Sequence, residues 1–296
     1  MLGRTITIVS VNWYSSDHLK RLAKNLLIKA NNQNEIEFLI IDNTNGADSN
    51  LIPKLKDIPK TKIIRHKTKS RQRSIAHASA IDLAIPLVET QYILIVDPDV
   101  HIFRKGWDSL CIREIQKGKS SVGAPYPKWK LGKIHDAPSV VFFFGETSWF
   151  NAINCTWYPF PSRLKRFFNF FIRKCIRLFG LSTRKNLENS SLLFKVSKFL
   201  EKYTGLSSPD TGWEFSLATQ HDGSEAQVFE APFVTQLSKK NSYLYKLAMN
   251  FELFFWSQEP FMTHMYSSGI FYYKTPESGN LEEWLSAILE IEEILS

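Results

Sequence analysis

The sequence predicts an α/β fold with a mostly parallel central sheet, helices on both faces and a more irregular C-terminal region. Short runs of consecutive aliphatic residues recur through the first hundred residues, as in strands that are buried on both faces. Segments with the spacing of an amphipathic helix separate these runs. Strands joined by right-handed crossover helices form a parallel sheet, and their carboxyl ends then meet at one edge.

The individual elements follow from local patterns. Residues 5–11 alternate between polar and apolar side chains and then become mainly apolar, and a helical stripe of apolar residues follows. The expected strands cover residues 5–11, 38–41, 62–65, 92–96, 122–125 and 139–144. The expected helices cover residues 19–30, 51–55, 75–85, 110–116 and 281–295. We expect the last of these helices to pack on the body of the protein or on a second subunit.

The composition narrows the class of protein. A hydrophobic content of 44% with 22% charged residues is typical of a globular chain and excludes wholesale disorder. The net charge of +8 favours anionic partners such as nucleotides, phosphorylated lipids or a membrane face. The three cysteines have no metal-ligand spacing and indicate a reducing compartment. Because no signal peptide or bilayer-spanning run of ~20 apolar residues is visible, we expect a cytoplasmic protein, or one peripheral to the inner face of the cell membrane.

The fourth expected strand ends in an acidic turn. Four consecutive aliphatic residues precede the Asp97–Asp99 turn, and Pro98 restricts Asp97 to an extended conformation. Two carboxylates held in this way suit a hard divalent cation, although Asp and Pro are also common in ordinary turns. Polar side chains also follow the earlier strands, and we expect all of them to converge on one crevice. The polar residues at predicted strand ends are Asn12, Asp42, His66, Asp97 and Asp99.

This crevice lacks two common nucleotide signatures. No G-x-G-x-x-G follows the first strand, which disfavours a nicotinamide or flavin site, and there is no G-x-x-x-x-G-K-[ST] phosphate loop. The crevice still has carboxylates for a cation and for a base or ribose. A basic loop at residues 67–73 could serve phosphates or could be a solvated surface segment. The combination predicts a nucleoside diphosphate bound with a metal ion.

Four segments of the chain share their order and spacing with a known family. They are Ile8–Trp13, Ile40–Asn43, Ser74–Ala80 and Tyr92–Asp99. Together they resemble the GT-A nucleotide-sugar glycosyltransferases, in particular the family 2 group. The resemblance implies one continuous GT-A domain with a Rossmann-like sheet. The implied parts are a nucleotide-sugar-binding half at residues 1–110, an acceptor-binding half at residues 111–235 and a C-terminal helical extension at residues 236–296.

The resemblance also implies roles for individual residues. The positions that match the nucleotide site are Val11, Asn12, Tyr14, Asp42, Arg71, Arg73, His77 and Asp97. The Asp97–Asp99 turn corresponds to the D-x-D motif, in which Asp99 would bind Mn²⁺ or Mg²⁺ directly and Asp97 would hold the ribose or a metal-bound water. His264 corresponds to a histidine that makes a further metal or diphosphate contact. The alternatives are an Asx turn for Asp42 and a histidine packed in the core for His77 and His264.

A second acidic group lies at residues 208–214. An inverting transfer needs a carboxylate that accepts the proton of the acceptor hydroxyl, and the resemblance implies an acid at the start of a helix. Asp210 is the first candidate for this catalytic base, and Glu214 is the second. The alternative is structural, because Thr211-x-x-Glu214 also fits an N-terminal capping box.

A basic and aromatic stretch at residues 163–179 dominates the segment 160–180. It carries six basic residues and no acidic ones. A helix of this kind suits a membrane surface, which would fit an acceptor carried on a lipid. The alternative is a helix that packs on the body of the protein with a basic outer face.

These features predict a metal-dependent glycosyltransferase of the hexosyl- or deoxyhexosyltransferase type. It would move a sugar from a nucleoside-diphosphate donor to a hydroxyl of a glycan or lipid-linked acceptor, with inversion, in cell-surface polysaccharide synthesis. We expect no nucleic-acid partner, and a homodimer is an open alternative to a monomer. The other functions considered are a nucleotidyltransferase on a related sheet and a basic membrane- or nucleic-acid-binding module without turnover. The sequence lacks the Gly-rich basic loop that a nucleotidyltransferase usually has after its first strand. Acids at the strand ends oppose the binding of a nucleic-acid backbone in the crevice.

Overall fold

The computed structural model of the protein describes residues 5–68, 70, 73–130, 133–153, 155–159, 164, 167, 171, 190–192, 195–196, 210–221, 225–237, 242–265 and 281–295. The described strands are β1 (Ile6–Asn12), β2 (Ile36–Asp42), β3 (Thr61–Arg65), β4 (Tyr92–Val96), β5 (Val100–Ile102), β6 (Ser121–Pro125), β7 (Pro138–Glu146), β8 (Gln227–Val228), β9 (Glu252–Trp256) and β10 (Glu259–His264). The described helices are α1 (Ser16–Lys29), α2 (Leu51–Leu55), α3 (Arg73–Ala84), α4 (Trp107–Gln116), α5 (Thr147–Ala152), α6 (Trp213–His221), α7 (Ser242–Asn250) and α8 (Leu281–Leu295). Short 3₁₀ turns cover Gln33–Glu35, Ile85–Leu87 and Val234–Gln236.

Within this part of the chain, a seven-stranded sheet has the strand order β3-β2-β1-β4-β7-β6-β8. The strands β1, β2, β3 and β4 are all parallel to one another. β7 runs antiparallel to β4 and β6. β1 lies between β2 and β4, and its last residue, Asn12, is the register partner of Asp42. The carboxyl ends of these three strands therefore meet at one edge of the sheet, as predicted from the sequence.

Alternate residues of the central strands face opposite sides of this sheet. On one side, Ile8 of β1 lies in a core cluster with Leu22 of α1. On the other side, Val9 of β1 lies in a second cluster with Ile81 of α3. Helices thus cover both faces of a mostly parallel sheet, which confirms the predicted fold class.

A second sheet begins directly after the acidic turn. It is three-stranded and antiparallel, with the order β5-β10-β9. β5 starts at Val100, immediately after Asp99, so the Asp97–Asp99 turn connects the two sheets. A core of its own joins Leu253 of β9 to Trp284 and Ile288 of α8. The sequence analysis did not anticipate this sheet.

Helix α8 packs on the body of the protein, which was one of the two arrangements expected for it. Trp284 is fully buried, and its ring centroid lies 4.2 Å from the guanidinium carbon of Arg21 on α1. The indole Nε1–H of Trp284 donates to Oγ1 of Thr263 on β10, with 3.2 Å between the atoms. The C-terminal helix therefore connects α1 to the small sheet next to the acidic turn.

Little of the basic stretch at residues 163–179 is described. Leu164, Phe167 and Phe171 are helical, and their exposed fractions are 69%, 67% and 59%. None of the helices that the structure describes has both the length and the apolar character needed to cross a bilayer. The division of the chain near residues 110 and 235 stays a prediction.

Candidate active site at the edge of the sheet

The turn that carries Asp97 and Asp99 is held at both of its ends. The backbone N–H of Asp97 donates to the carbonyl of Val141 on β7, with 3.3 Å between N and O. The carbonyl of Asp99 accepts a hydrogen bond of 2.9 Å from the N–H of Met265, the residue after β10. The large sheet holds the first end of the turn and the end of β10 holds the second. The two carboxylates therefore have little freedom to change their orientation.

His264, the last residue of β10, brings a third ligand to the acid pair. Its Nε2 lies 3.2 Å from Oδ1 of Asp99 and 3.8 Å from Oδ2 of Asp97. One ligand atom from each of the three residues lies within 4.8 Å of the other two. Two carboxylates and one imidazole form a donor set that fits a divalent cation such as Mn²⁺. The structure thus brings together the acid pair and the histidine that the sequence analysis assigned to the metal site.

Behind His264 lies a buried ion pair that the sequence analysis missed. The His264 Nδ1 is 2.8 Å from Oε2 of Glu252, and the other carboxylate oxygen of Glu252 pairs with the Nζ of Lys130. Glu252 and Lys130 are only 4% and 1% exposed. Glu252 and His264 are direct partners in the antiparallel register of β9 and β10. No local pattern of the sequence indicates that register.

The carboxylates of this region change the pKa values of one another and of His264. Burial raises the pKa of Asp97 to about 7, and repulsion by Asp99 and Asp210 adds to the rise while His264 opposes it. Burial would lower the pKa of His264, but the carboxylates of Asp99 and Glu252 raise it to about 10. A field strong enough to favour the imidazolium form also attracts a divalent cation.

His77 of α3 contacts the same acid pair. Its Nε2 lies 3.6 Å from Oδ1 of Asp97. Burial lowers the pKa of His77 to about 4, although Asp210 and Asp99 act in the opposite direction. The ring is therefore neutral near pH 7 and offers a hydrogen bond rather than a charge. Its contact with a nucleotide stays a prediction.

Asp210 lies just before α6 and is paired with Lys133. The Nζ of Lys133 donates to Oδ2 of Asp210 over 2.7 Å, and the N–H of Thr211 donates to Oδ1 over 2.9 Å. Burial raises the pKa of Asp210, but the attraction of Lys133 outweighs it and brings the pKa to about 2. Asp210 also raises the pKa of Asp97, so the two carboxylates are electrostatically coupled. In this arrangement the first candidate base is thus a weak proton acceptor.

Thr211 and Glu214 do not form the capping box that their spacing suggests. The hydroxyl of Thr211 donates to the carbonyl of Ser74 over 3.1 Å, and the Glu214 carboxylate accepts a hydrogen bond of 3.1 Å from the N–H of Thr156. The prediction is wrong because α6 begins only after Gly212, whose φ of 78° turns the chain between Thr211 and the helix. A catalytic role for Glu214 stays a prediction.

Asn12 and Asp42 connect the carboxyl ends of β1 and β2 at the same edge of the sheet. Asn12 Nδ2 donates to Oδ1 of Asp42 over 2.9 Å and to Oδ2 of Asp48 over 3.2 Å. The Asp42 carboxylate also accepts hydrogen bonds from the N–H and hydroxyl of Thr44 and from the N–H of Gly46. Burial raises the pKa of Asp42, but these hydrogen bonds together bring it below its usual value. The Asx turn considered as an alternative is therefore present, and contact of Asp42 with a base stays a prediction.

Two aromatic side chains at the carboxyl end of β1 are open to solvent. Trp13 and Tyr14 are 55% and 62% exposed, with 5.5 Å between their ring centroids. Tyr14 has a φ of 53°, a backbone conformation that is uncommon outside glycine and often found at functional sites. Val11, by contrast, is buried in the core cluster on the α3 side of the sheet. Arg71 and the side chain of Arg73 lie outside the described residues, so their contacts with phosphate stay a prediction.

Comparisons with known proteins give matches to solved structures alone. No protein-family model matches the chain, and no curated protein matches it. The chain is similar to TarS of S. aureus in complex with UDP-GlcNAc, with 15% identity and a TM-score of 0.34 over 41% of this chain and 34% of that chain. It is also similar to the mannosyltransferase PcManGT of Pyrobaculum calidifontis in complex with GDP-Man and Mn²⁺, with 11% identity and a TM-score of 0.37 over 48% of this chain and 44% of that chain. The chain thus spans less than half the length of these two proteins, and its function has to be argued from the site itself.

Proposed function

We propose that the protein is a metal-dependent glycosyltransferase that moves a sugar from a nucleoside-diphosphate donor to a hydroxyl acceptor. The observation that carries this proposal is the convergence of Asp97, Asp99 and His264 at one edge of a mostly parallel sheet. Open α/β sheets bind their ligands at this edge. Carboxylates and an imidazole gathered there suit a divalent cation that also contacts phosphates.

Each residue of the cluster has a proposed part in donor binding. Asp99 and His264 would hold the cation directly, and Asp97 would hold the ribose or a metal-bound water. Mn²⁺ fits this set better than Mg²⁺, because imidazole is a ligand for the softer ions. When bound, the cation supplies charge stabilisation to the departing diphosphate. The residues proposed to cradle the nucleoside are Asn12, Tyr14 and Asp42, together with the main chain of Val11, whose side chain is buried in the core. Arg71, Arg73 and His77 are proposed to lie near the diphosphate.

Asp210 is the proposed base of an inverting transfer. The acceptor oxygen attacks the anomeric carbon, the bond from that carbon to the diphosphate oxygen breaks, and the hydroxyl proton passes to the carboxylate. The electrostatic coupling of Asp210 to Asp97 supports its place beside the reacting groups. Its ion pair with Lys133 opposes the role, and Glu214 remains the second candidate.

Thermal unfolding in the presence of nucleoside diphosphates and nucleotide sugars, each with and without Mn²⁺, tests the proposal. A ligand that binds only the folded state stabilises it by RT ln(1 + [L]/Kd), which is about 2.7 kcal/mol at 100 times Kd. We expect nucleotides with one preferred base to raise the Tm of the wild type when Mn²⁺ is present, and not that of Asp99→Asn. Sugar transfer to a hydroxyl acceptor is then measured with the preferred donor. A Tm that no nucleotide changes would refute the proposal.

We further propose that the acceptor is lipid-linked and that residues 163–179 contact the surface of a membrane. The exposure of Leu164, Phe167 and Phe171 favours a surface contact over packing on the body of the protein. The six basic residues of the stretch complement anionic headgroups. This arrangement fits a peripheral enzyme of cell-surface polysaccharide synthesis on the inner face of the membrane, and a homodimer remains a separate prediction.

Co-sedimentation with vesicles tests the membrane contact. We expect vesicles of anionic lipid to pellet the wild type and neutral vesicles to pellet little of it, since each basic residue near the surface contributes about 1 kcal/mol and the stretch carries six. A double variant, Phe167→Glu with Phe171→Glu, should lose the binding. Ile52→Glu is the matched control, because Ile52 is an equally exposed apolar residue, 60% exposed, on α2. Equal loss in the control and the double variant contradicts a contact specific to this stretch.

A further inference from the structure

The two ring nitrogens of His264 face different partners. Nε2 points toward the acid pair, 3.2 Å from Oδ1 of Asp99, and Nδ1 lies 2.8 Å from Oε2 of Glu252. A carboxylate accepts hydrogen bonds and donates none when ionised, so Glu252 requires the proton of the ring on Nδ1. A histidine binds a metal only as the neutral ring, so a bound cation takes the place of the second proton. The lone pair then belongs to Nε2, which is the nitrogen that faces Asp97 and Asp99.

Glu252 is itself fixed by its surroundings. Its carboxylate pairs with Lys130, and both side chains are almost entirely buried. A buried carboxylate without a counter-charge tends to take up a proton, and Lys130 keeps it ionised as an acceptor. The backbone is held as well, because the hydroxyl of Thr263 donates to the carbonyl of Glu252 over 2.7 Å. The hydroxyl of Thr263 in turn accepts from Trp284 on α8.

We propose that Glu252 is a positioning residue which, together with Lys130, fixes the tautomer and the orientation of His264 so that Nε2 serves as a metal ligand. The inference rests on the proposed function, because it takes the cluster of Asp97, Asp99 and His264 as a cation site. Carboxylates that orient a metal-bound histidine in this way typically contribute 10- to 100-fold to metal affinity or activity. Glu252 thus acts on the cation through His264, whereas Lys130 keeps Glu252 ionised and also interacts electrostatically with Asp97.

Binding of Mn²⁺ alone, measured by calorimetric titration of the full chain, tests the inference. We expect Glu252→Gln to weaken Mn²⁺ binding about 10- to 100-fold. The double variant Glu252→Gln with Lys130→Met removes both charges of the buried pair, and it should show a similar loss of affinity with a Tm closer to that of the wild type. This double variant keeps the test decisive where the single variant folds poorly.

The chain provides a matched control in Glu292 of α8. Its carboxylate also pairs with a lysine and a histidine, at 2.5 Å from Nζ of Lys29 and 2.8 Å from Nε2 of His101. Glu292→Gln therefore removes the same chemistry from a different histidine. We expect it to lower the Tm and to leave the affinity for Mn²⁺ unchanged.

A double-mutant cycle separates positioning from a general structural role. In a His264→Ala background, Glu252→Gln should cause no further loss of Mn²⁺ affinity, because its effect passes through the imidazole. Equal losses in both backgrounds, or unchanged affinity in Glu252→Gln, would overturn the positioning role and leave the proposed function standing. A wild type that does not bind Mn²⁺ at all would overturn both.

Discussion

Asp42 and Asp97 lie at the carboxyl ends of two parallel strands, yet their surroundings shift their pKa values in opposite directions. Asp42 accepts hydrogen bonds from Asn12, Thr44 and Gly46, and these lower its pKa against the effect of burial. Asp97 faces two imidazoles and lies near other carboxylates, and burial raises its pKa to about 7. The charge of Asp42 is thus stabilised by hydrogen bonds, whereas the charge of Asp97 is repelled by neighbouring carboxylates.

The difference shows which strand-end acids are available to a metal ion. A carboxylate whose oxygens already accept several hydrogen bonds mainly stabilises the loop that supplies the donors. Carboxylates that crowd together raise the free energy of the folded protein, and a bound cation relieves their repulsion. The edge of the sheet is therefore divided into a region that holds its own shape and a region that is suited to a metal ion.

The largest expected effect concerns the crowded region. Asp99→Asn removes one proposed ligand, and we expect sugar transfer to fall by about 10³-fold or more, since charge stabilisation by a cation is worth several kcal/mol. The Tm should change little, because the substitution removes the repulsion between Asp99 and Asp97 together with the attraction between Asp99 and the His264 imidazolium. Steady-state transfer assays with varied Mn²⁺ and thermal unfolding measure the two effects. Full activity in the presence of a chelator contradicts the assignment.

Asp42→Asn should show the reverse pattern. The amide cannot accept all of the hydrogen bonds that the carboxylate accepts, so we expect a loss of about 2–3 kcal/mol in the free energy of unfolding by urea. Mn²⁺ binding should be unchanged. Asp17→Asn is the control, since Asp17 pairs with Lys54 at the surface and its loss should cost less than about 1 kcal/mol.

The pH dependence of stability gives a second measure of the Asp42 site. The pKa of Asp42 is lower in the folded protein than in the unfolded chain, so its contribution to stability is complete above the unfolded pKa. The contribution disappears as the pH falls through the folded pKa. The difference in stability between wild type and Asp42→Asn should therefore shrink at acid pH, and a constant difference argues against an ionised carboxylate in this role.

The smallest expected effect concerns Asp210, whose charge is satisfied by Lys133. With this lysine present, the pKa of Asp210 is about 2, so Asp210 causes no acid limb in a profile of kcat/KM measured above pH 4. Lys133→Met leaves burial to raise the pKa, and a new acid limb should appear at higher pH. Asp210→Asn with Lys133→Met should show only residual sugar transfer, without the new acid limb, because the titrating carboxylate is gone. Unchanged profiles in Lys133→Met would exclude Asp210 as the base and favour Glu214.

Part of the site could be predicted because its cause is local. Runs such as Tyr92–Val96 are apolar on both faces, which predicts a buried strand and places the next residues, Asp97 and Asp99, at its end. The capping box at Thr211 and Glu214 was wrong although its spacing was correct, because both side chains find partners in distant segments. Local spacing indicates which hydrogen bonds are possible, and competing partners determine which ones form.

The sequence by itself determined the parallel sheet, the convergence of its strand ends and the position of the acid pair, because periodicity and chain direction are local properties. Only the tertiary structure decided what surrounds those acids. The departure of β5 into a second sheet and the register that sets Glu252 opposite His264 depend on pairing between distant strands. The burial of Lys130 against Glu252 follows from that pairing as well. Such contacts depend on how distant surfaces pack together in the folded core, and local patterns of side chains do not predict them.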